Sequence, residues 1–167
     1  WEHVELPEKF LKIKKFLDNC IKEKLEKLKK WGLIGSLQQA VTKKQLLDLQ
    51  RSIQFKLARG EKDVRLWQGV SLSAEAIKAQ HALELLETQG VKPLFKYTSR
   101  IYEEADKTKT KAVKNLAKDL NFKSAHILAE SAIQENLEHP KLTRLKEIVE
   151  EEIKDNPDSK IIIFNHY

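Results

Sequence analysis

Lysine is the residue type whose number and spacing could do the most chemistry in this sequence. The 167 residues hold 31 Lys and Arg against 25 Asp and Glu, a formal net charge of +6. Two segments concentrate that charge: residues 7–31 contain nine Lys against four acids, and residues 107–123 contain six Lys against one Asp. Uncompensated ammonium groups attract anions, and a cluster of them is the electrostatic footprint of a partner with a phosphate backbone.

On helices, these lysines would form two separate faces. In the first segment, five of the nine lysines fall within about 100° of each other, opposite Phe10, Leu17 and Leu28: they are Lys12, Lys15, Lys22, Lys29 and Lys30. In the second, four of the six lysines have a spacing of +4, +3, +4, which predicts one stripe opposite Val113, Leu116 and Ala117, provided that the helix extends back to Lys107. The predicted DNA-binding residues are Lys12, Lys15, Lys22, Lys29, Lys30, Lys107, Lys111, Lys114 and Lys118. The alternative is that both faces are only the solvated surface of a lysine-rich protein.

The sequence lacks the patterns that nucleotide, metal or covalent chemistry requires. Its five glycines are too scattered to assemble a phosphate-binding loop of either common type: they stand at 32, 35, 60, 69 and 90. The five histidines show no metal-ligating spacing, and Cys20 has no second thiol. We therefore predict no catalytic residue, no cofactor-binding residue and no metal site in this chain.

Three residue types that could do chemistry have structural explanations instead. His81 and His126 stand among alanines and leucines, which favours core or boundary positions. Cys20 lies in an apolar stripe and is expected to be a small core hydrophobe. Lys24 interrupts the same stripe, so its stem should be buried and its ammonium should either reach solvent or pair across the bundle.

The elements that would position these residues are helices. Apolar residues recur every three to four positions in seven segments, and the chain has only five Gly and four Pro. The helices are predicted at 7–31, 42–58, 63–88 with a break near residue 70, 94–105, 110–120, 122–137 after a break at Asn121, and 140–155. The fold class is therefore all-α, a bundle of about seven helices. The β-branched run Lys160 to Phe164 predicts a final strand buried on both faces.

That final strand has no other strand in this sequence to pair with, which indicates that it belongs to a second domain. Residues 1–137 are predicted to be a helical domain, and residues 138–167 the leading helix and first strand of a neighbouring α/β domain that is cut off. The longest apolar run has four residues, Ile161 to Phe164, far below the roughly 20 that a membrane span needs. A basic chain with one cysteine indicates a reducing, intracellular location.

Four stretches resemble one known family. They are WEHVELP at residues 1–7, HALELLETQG at 81–90, EHPKL at 138–142 and SKIIIFNHY at 159–167. Together they are similar to the archaeal Hef and Fanconi anaemia FANCM family of superfamily 2 helicases. The second and third stretches are the specific ones, whereas residues 33–69 and 107–121 match no pattern of that family.

The resemblance implies a location and a role. It places the chain as the thumb-like helical insertion between two RecA-like motor domains, which that family uses on branched DNA such as replication forks, and residues 160–167 are similar to helicase motif IV. ATP and Mg²⁺ would be cofactors of the parent enzyme only, because its ATPase motifs fall outside this chain. The expected function is a monomeric DNA-binding accessory module without enzyme activity. The alternative is a helical insert that spaces the motor domains or docks a protein partner.

Overall fold

The computed structural model describes residues 3–35 and 42–164, so residues 1–2 and 165–167 of the resemblance lie outside the described residues. Helices make up 78% of the described part, which confirms the all-α prediction. Seven helices are present there: α1 Glu8–Lys30, α2 Lys43–Ala58, α3 Val64–Gln89, α4 Val91–Lys107, α5 Lys111–Lys118, α6 Leu120–Gln134 and α7 Pro140–Asp155.

Local hydrogen bonds set where several of these helices begin. At α2 the hydroxyl of Thr42 accepts from the backbone N–H of Gln45 at 3.3 Å, and the Gln45 side chain accepts from the Thr42 N–H at 2.9 Å. This reciprocal capping box satisfies two N–H groups that the first turn leaves unpaired. At α7, Pro140 occupies the first turn, where its missing N–H costs nothing.

The core is built around α1 and α3. Helix α1 packs against α3 and α6, and α3 also contacts α2, α4 and α5. The large buried side chains come mainly from the apolar stripe of α1, with Phe10, Ile13, Leu17 and Leu28 fully enclosed. Helix α3 contributes small residues to the same core, among them three fully buried alanines, Ala76, Ala79 and Ala82. Small side chains on the central helix let its neighbours approach closely.

The predicted break near residue 70 is wrong, because α3 runs unbroken from Val64 to Gln89. A Cβ on Gly69 would lie 2.5 Å from Cδ1 of Leu33 and 3.3 Å from Cδ1 of Ile53, so the glycine serves close packing. The hydroxyl of Ser73 donates back to the carbonyl of Val70 at 3.0 Å, which satisfies it within the helix. Small residues here bring helices together and do not interrupt α3.

Helix boundaries between α4 and α6 also differ from the prediction. Helix α4 ends at Lys107 and α5 begins only at Lys111. Thr108 accepts at Oγ1 from the N–H of Thr110 at 3.1 Å, and such local side-chain bonds compete with the helix. Asn121 is not a break, because Asp119 caps α6 by accepting from the Phe122 N–H at 3.0 Å.

The C-terminal part lies on the bundle more loosely than the other helices. No side chain of α7 is buried. Residues 160–164 form neither helix nor strand, and the described residues offer them no partner strand, so the predicted strand is not confirmed. Across residues 3–35 and 42–164, no helix combines the length and apolar character of a membrane span.

Candidate nucleic-acid interface

Helix α5 presents a short row of lysines to solvent. Its buried residues are Ala112, Val113 and Leu116, on the side that packs against α3, α4 and α6. Opposite them, Lys111, Lys114 and Lys118 are all exposed. None of these three ammonium groups has an acidic partner within 4.0 Å among the residues that the structure describes. The α5 stripe, defined by these three lysines, therefore carries uncompensated positive charge.

Lys107 does not belong to that stripe, which corrects the prediction of a four-lysine row. It is the last residue of α4, separated from α5 by three non-helical residues. The two threonines in this connection bond to each other, with Oγ1 of Thr108 donating to Oγ1 of Thr110 at 3.0 Å. Lys107 is exposed and close in the chain, but it stands at the C-terminus of a different helix, where its charge complements the helix dipole.

The predicted lysine face of α1 is only partly free. All five of its lysines are exposed. However, Lys12 pairs with Glu8 at 2.6 Å, and Lys22 lies 4.0 Å from Glu26, both one turn away on the same helix. Within the described ranges, no acid is in ion-pair distance of the other three lysines, Lys15, Lys29 and Lys30. The uncompensated charge of α1 is thus concentrated toward its C-terminal half.

A buried polar joint holds α5 in place. Lys24 of α1 forms an ion pair with Asp119, and their side chains are only 5% and 9% exposed. Burial alone would raise the pKa of the Asp119 carboxyl, but the hydrogen bonds from Lys24 and from the Phe122 N–H outweigh it, so the pKa lies below its ordinary value. The prediction that Lys24 buries its stem is confirmed, and of the two alternatives left open for its ammonium the structure shows pairing across the bundle.

Two further hydrogen bonds complete this joint. Asn115 of α5 donates to Oε1 of the buried Glu75 on α3 at 2.9 Å. Asn121 of α6 donates to Oε1 of Glu23 on α1 at 2.8 Å. The ion pair and the Asn121 bond hold the connection that follows Lys118 against the C-terminal half of α1, and the Asn115 bond ties α5 to α3. The joint fixes the orientation of a helix of only eight residues, which would be marginal on its own.

The histidines and the cysteine singled out from the sequence are packed as predicted. His126 is half-buried, with Nδ1 at 2.7 Å from Oγ1 of Thr98 and its ring stacked on Phe95, and burial lowers its pKa. His81 stands edge-on to Tyr97 at 4.8 Å. Cys20 is fully buried, and burial raises its pKa to about 12. In the part of the chain that the structure describes, no three His, Cys, Asp or Glu side chains gather as a metal site would need.

His139 positions α7, a role that the sequence indicated only as far as the start of a seventh helix at His139 and Pro140. It is buried, and it caps α7 by accepting at Nδ1 from the Lys141 N–H at 3.2 Å. This bond assigns the ring proton to Nε2, which donates to the carbonyl of Glu87 at 3.0 Å. Burial lowers the pKa of His139, which favours this neutral form. A histidine before a proline at a helix start was the available signal.

The outer face of α2 is a feature that the sequence analysis missed. Phe55 is 62% exposed, and the guanidinium of Arg59 lies over its ring at 5.6 Å from the centroid. Arg51 stands one turn earlier on the same helix and pairs with Asp48 at 3.3 Å. The sequence signal for this face is a pair of arginines four residues before and four residues after an aromatic residue.

A groove of about 530 Å³ separates α7 from the corner where α3 meets α4. Its walls are mostly apolar and include Pro93, Leu142, Leu145 and Ile148, and Phe164 of the C-terminal segment lies across it. The side chain of Phe164 is nevertheless 91% exposed. This groove and the exposed apolar residues of α7 form a surface of different character from the lysine rows.

Three comparisons with known proteins show what this chain is similar to. Residues 9–139 match a family model described as "Putative ATP-dependent RNA helicase, helical bundle". A Methanocaldococcus jannaschii protein with the name "Putative ATP-dependent RNA helicase" is 31% identical over 164 residues, which cover 98% of this chain and 19% of that protein. The crystal structure of the Pyrococcus furiosus Hef helicase domain superposes with a TM-score of 0.90 at 37% identity, covering 100% of this chain and 34% of that one. The chain thus spans about a fifth of the first relative and a third of the second.

Proposed function

Because this chain belongs to the family of helical bundles of ATP-dependent RNA helicases, we propose that it is the accessory module through which such a helicase holds branched DNA. The resemblance to Hef that the sequence suggested is confirmed by the superposition on the Hef helicase domain. In this proposal the bundle contacts phosphates without reading bases, and the motor domains of the parent protein supply the movement. ATP and Mg²⁺ belong to those motors, because these 167 residues contain no phosphate-binding glycine pattern.

The α5 stripe is the observation that carries the proposal. Its three lysines share one solvent face, and no acid among the described residues neutralises them. Like charges at this spacing destabilise a helix, and an anion bound along the α5 stripe would remove that repulsion. Lys15, Lys29 and Lys30 on α1, Lys107 at the end of α4, and the paired Lys12 and Lys22 extend the same proposed interface.

The apolar surface of α7 supports a division of the chain into two parts. Residues 1–137 are proposed as the helical insertion, and 138–167 as the start of the second motor domain. Leu142, Ile148 and Ile153 of α7 are 48%, 38% and 47% exposed. A contiguous apolar surface of this kind on a folded protein marks a site of contact with another domain or protein. Contact with a motor domain of the parent would cover this surface and the groove beside it.

The competing function is a structural or protein-docking insert without DNA contact. The same apolar surface of α7 favours it, since a docking insert needs an apolar face and has no use for phosphate contacts. In that case the lysine rows only keep the surface hydrated. The two functions differ in what neutralising the α5 stripe does to nucleic-acid binding.

A salt titration of fork binding separates the two functions. Each phosphate contact on duplex DNA contributes about 0.9 to the slope of log K against log salt concentration. We expect the triple variant Lys111→Gln, Lys114→Gln, Lys118→Gln to flatten that slope by about 2 to 3 and to weaken binding to all DNA sequences alike. Adding Lys107→Gln tests the fourth predicted lysine, and a matching set at positions 12, 15, 22, 29 and 30 tests α1.

The control removes the same number of charges elsewhere. Lys141→Gln, Lys146→Gln and Lys154→Gln change three exposed lysines on α7, a helix rich in acids, and should leave the slope unchanged. An RNA fork of the same shape is measured in parallel, because the curated relative is named an RNA helicase. Wild-type affinity and slope in both the α5 and the α1 variants would contradict the proposal and leave the docking insert as the better account.

A further inference from the structure

The outer face of α2 exposes an aromatic ring away from the bundle. Helix α2 buries Leu46 and Ile53, and Ile53 packs toward Gly69 of α3. Phe55 follows Ile53 by two residues, which places it about 200° around the helix, on the side away from α3. Its side chain is 62% exposed, so burial in the bundle does not explain why an aromatic residue stands there.

The ring of Phe55 is part of a composite surface. The planar guanidinium of Arg59 lies 5.6 Å from the ring centroid, within the range of a cation–π contact. Arg51 stands four residues before Phe55 on α2, and Arg59, the residue that ends α2 as its C-cap, stands four residues after it, so the three form one row. A flat ring flanked by arginines in water offers a stacking surface next to positive charge.

The charge around this row fits an anionic partner. Residues 43–62 contain six bases and two acids, a net charge of 6 − 2 = +4. A partner that matches this surface must offer both a flat ring to stack on Phe55 and negative charge to meet the arginines. A nucleic-acid strand with unpaired bases offers both. A duplex supplies only the charge, because its bases are already stacked on each other.

We infer that the α2 platform, made of Arg51, Phe55 and Arg59, binds unpaired nucleotides by stacking a base on Phe55 while the arginines contact the adjacent phosphates. The inference rests on the proposed function, and it adds a second class of contact to it. The α5 stripe holds duplex arms through their backbone, whereas the α2 platform holds the single-stranded segment that a branch point exposes. Neither surface recognises base sequence.

The test measures the 167-residue chain binding to a single-stranded dT 15-mer and to a blunt duplex of the same length. Phe55→Ala should weaken single-strand binding by about 5- to 150-fold, the range given by loss of one stacked base, and leave duplex binding unchanged. Phe55→Tyr keeps the ring and should bind like wild type. Arg59→Lys keeps the charge but loses the planar group, so it should show a smaller loss at an unchanged salt slope.

A second exposed aromatic residue provides the matched control. Trp67 is 66% exposed on α3, and no cation is stacked on it among the described residues. Trp67→Ala should leave both affinities unchanged. Wild-type single-strand binding by Phe55→Ala would overturn the inference, as would equal losses from Phe55→Ala and Trp67→Ala or an equal loss on duplex.

The same experiment separates this inference from the proposed function. If the α5 triple variant binds duplex forks like wild type while Phe55→Ala loses the single strand, the α5 proposal fails and the inference stands. If the α5 triple variant loses duplex forks while Phe55→Ala binds the single strand like wild type, the bundle contacts only duplex arms and the inference fails. Far-UV circular dichroism of each variant confirms that the helices are intact, which is expected because the altered side chains are exposed.

Discussion

Removing one partner of the buried pair between Lys24 and Asp119 should destabilise the bundle strongly. Lys24→Met preserves the length of the side chain but leaves the Asp119 carboxylate without its counter-charge in a site that is 9% exposed. Breaking a buried pair from one side costs roughly 3 to 5 kcal/mol, against about 5 to 15 kcal/mol for the whole stability of a typical domain. The variant should therefore stay folded at 25 °C with a much lower free energy of unfolding.

The double variant Lys24→Met, Asp119→Asn tests whether the charge is the cause. It removes both charges, and Asn at position 119 can still accept from the Phe122 N–H and cap α6. We expect it to be more stable than either single variant, because no unpaired charge remains in the core. Urea unfolding followed by circular dichroism gives the three free energies, and equal m-values confirm that the same transition is compared.

The pH dependence of the same variants gives an independent check. The pKa of Asp119 is lowered in the folded protein, so its contribution to stability is complete above the unfolded pKa of an aspartate, about 3.9. That contribution is lost as the pH falls through the lower folded value. The difference between wild type and Asp119→Asn should be constant from pH 7 to about 5 and shrink below pH 4. The reasoning would be refuted if the double variant lost as much free energy of unfolding as Lys24→Met and Asp119→Asn lose when their separate losses are added.

Three further predictions concern stability and reactivity. Gly69→Ala should leave the free energy of unfolding within about 1 kcal/mol of wild type in urea titrations, because the helix propensity that alanine adds offsets the shift of the terminal methyl groups of Leu33 and Ile53, which its Cβ would meet at 2.5 and 3.3 Å; a loss of more than about 3 kcal/mol would show that these methyl groups cannot move aside. His139 has a lowered pKa, so the stability it contributes is complete above the ordinary histidine pKa, about 6.5, and falls as the pH drops through the lower folded value. His139→Asn, which keeps a capping group, should show a flatter stability profile from pH 7 to 5 than wild type, and identical profiles would exclude this contribution. The Cys20 thiol, with its pKa raised to about 12, should react with a disulfide reagent only at the rate of opening in native buffer and at once in denaturant; fast native labelling would show that the core is not closed there.

Local signals in the sequence were enough for most of the helices. Thr42 before α2, Gly90 after α3 and Pro140 in α7 are capping residues whose effect is confined to one turn, so they could be predicted without the fold. The apolar stripe of α1 likewise identified which of its residues are buried. Where the prediction was wrong, at Gly69 and at Lys107, the deciding contacts came from another helix or from the bonded threonines of the connection.

The candidate surfaces were predictable only in part. The three lysines of α5 and their solvent face follow from spacing within one helix. The partner of Lys24 is 95 residues away in the sequence, and no local pattern pointed to Asp119. The exposure of Phe55 depends on which side of α2 faces α3, and the role of His139 depends on a carbonyl of α3. Long-range contacts of this kind follow from the packing of the helices, which the sequence pattern does not specify.

The corner between α3 and α4 has a mechanical consequence. A single residue, Gly90 with φ of 91°, ends one helix and begins the next, so no loop exists there to absorb movement. A Cβ on this glycine would lie 3.2 Å from Cβ of His139, the residue that starts α7. The two helices therefore form a stiff elbow with the α7 attachment point at its bend. Although no side chain of α7 itself is buried, the contacts of His139 with Gly90 and with the Glu87 carbonyl give that helix one rigid point of attachment to the bundle.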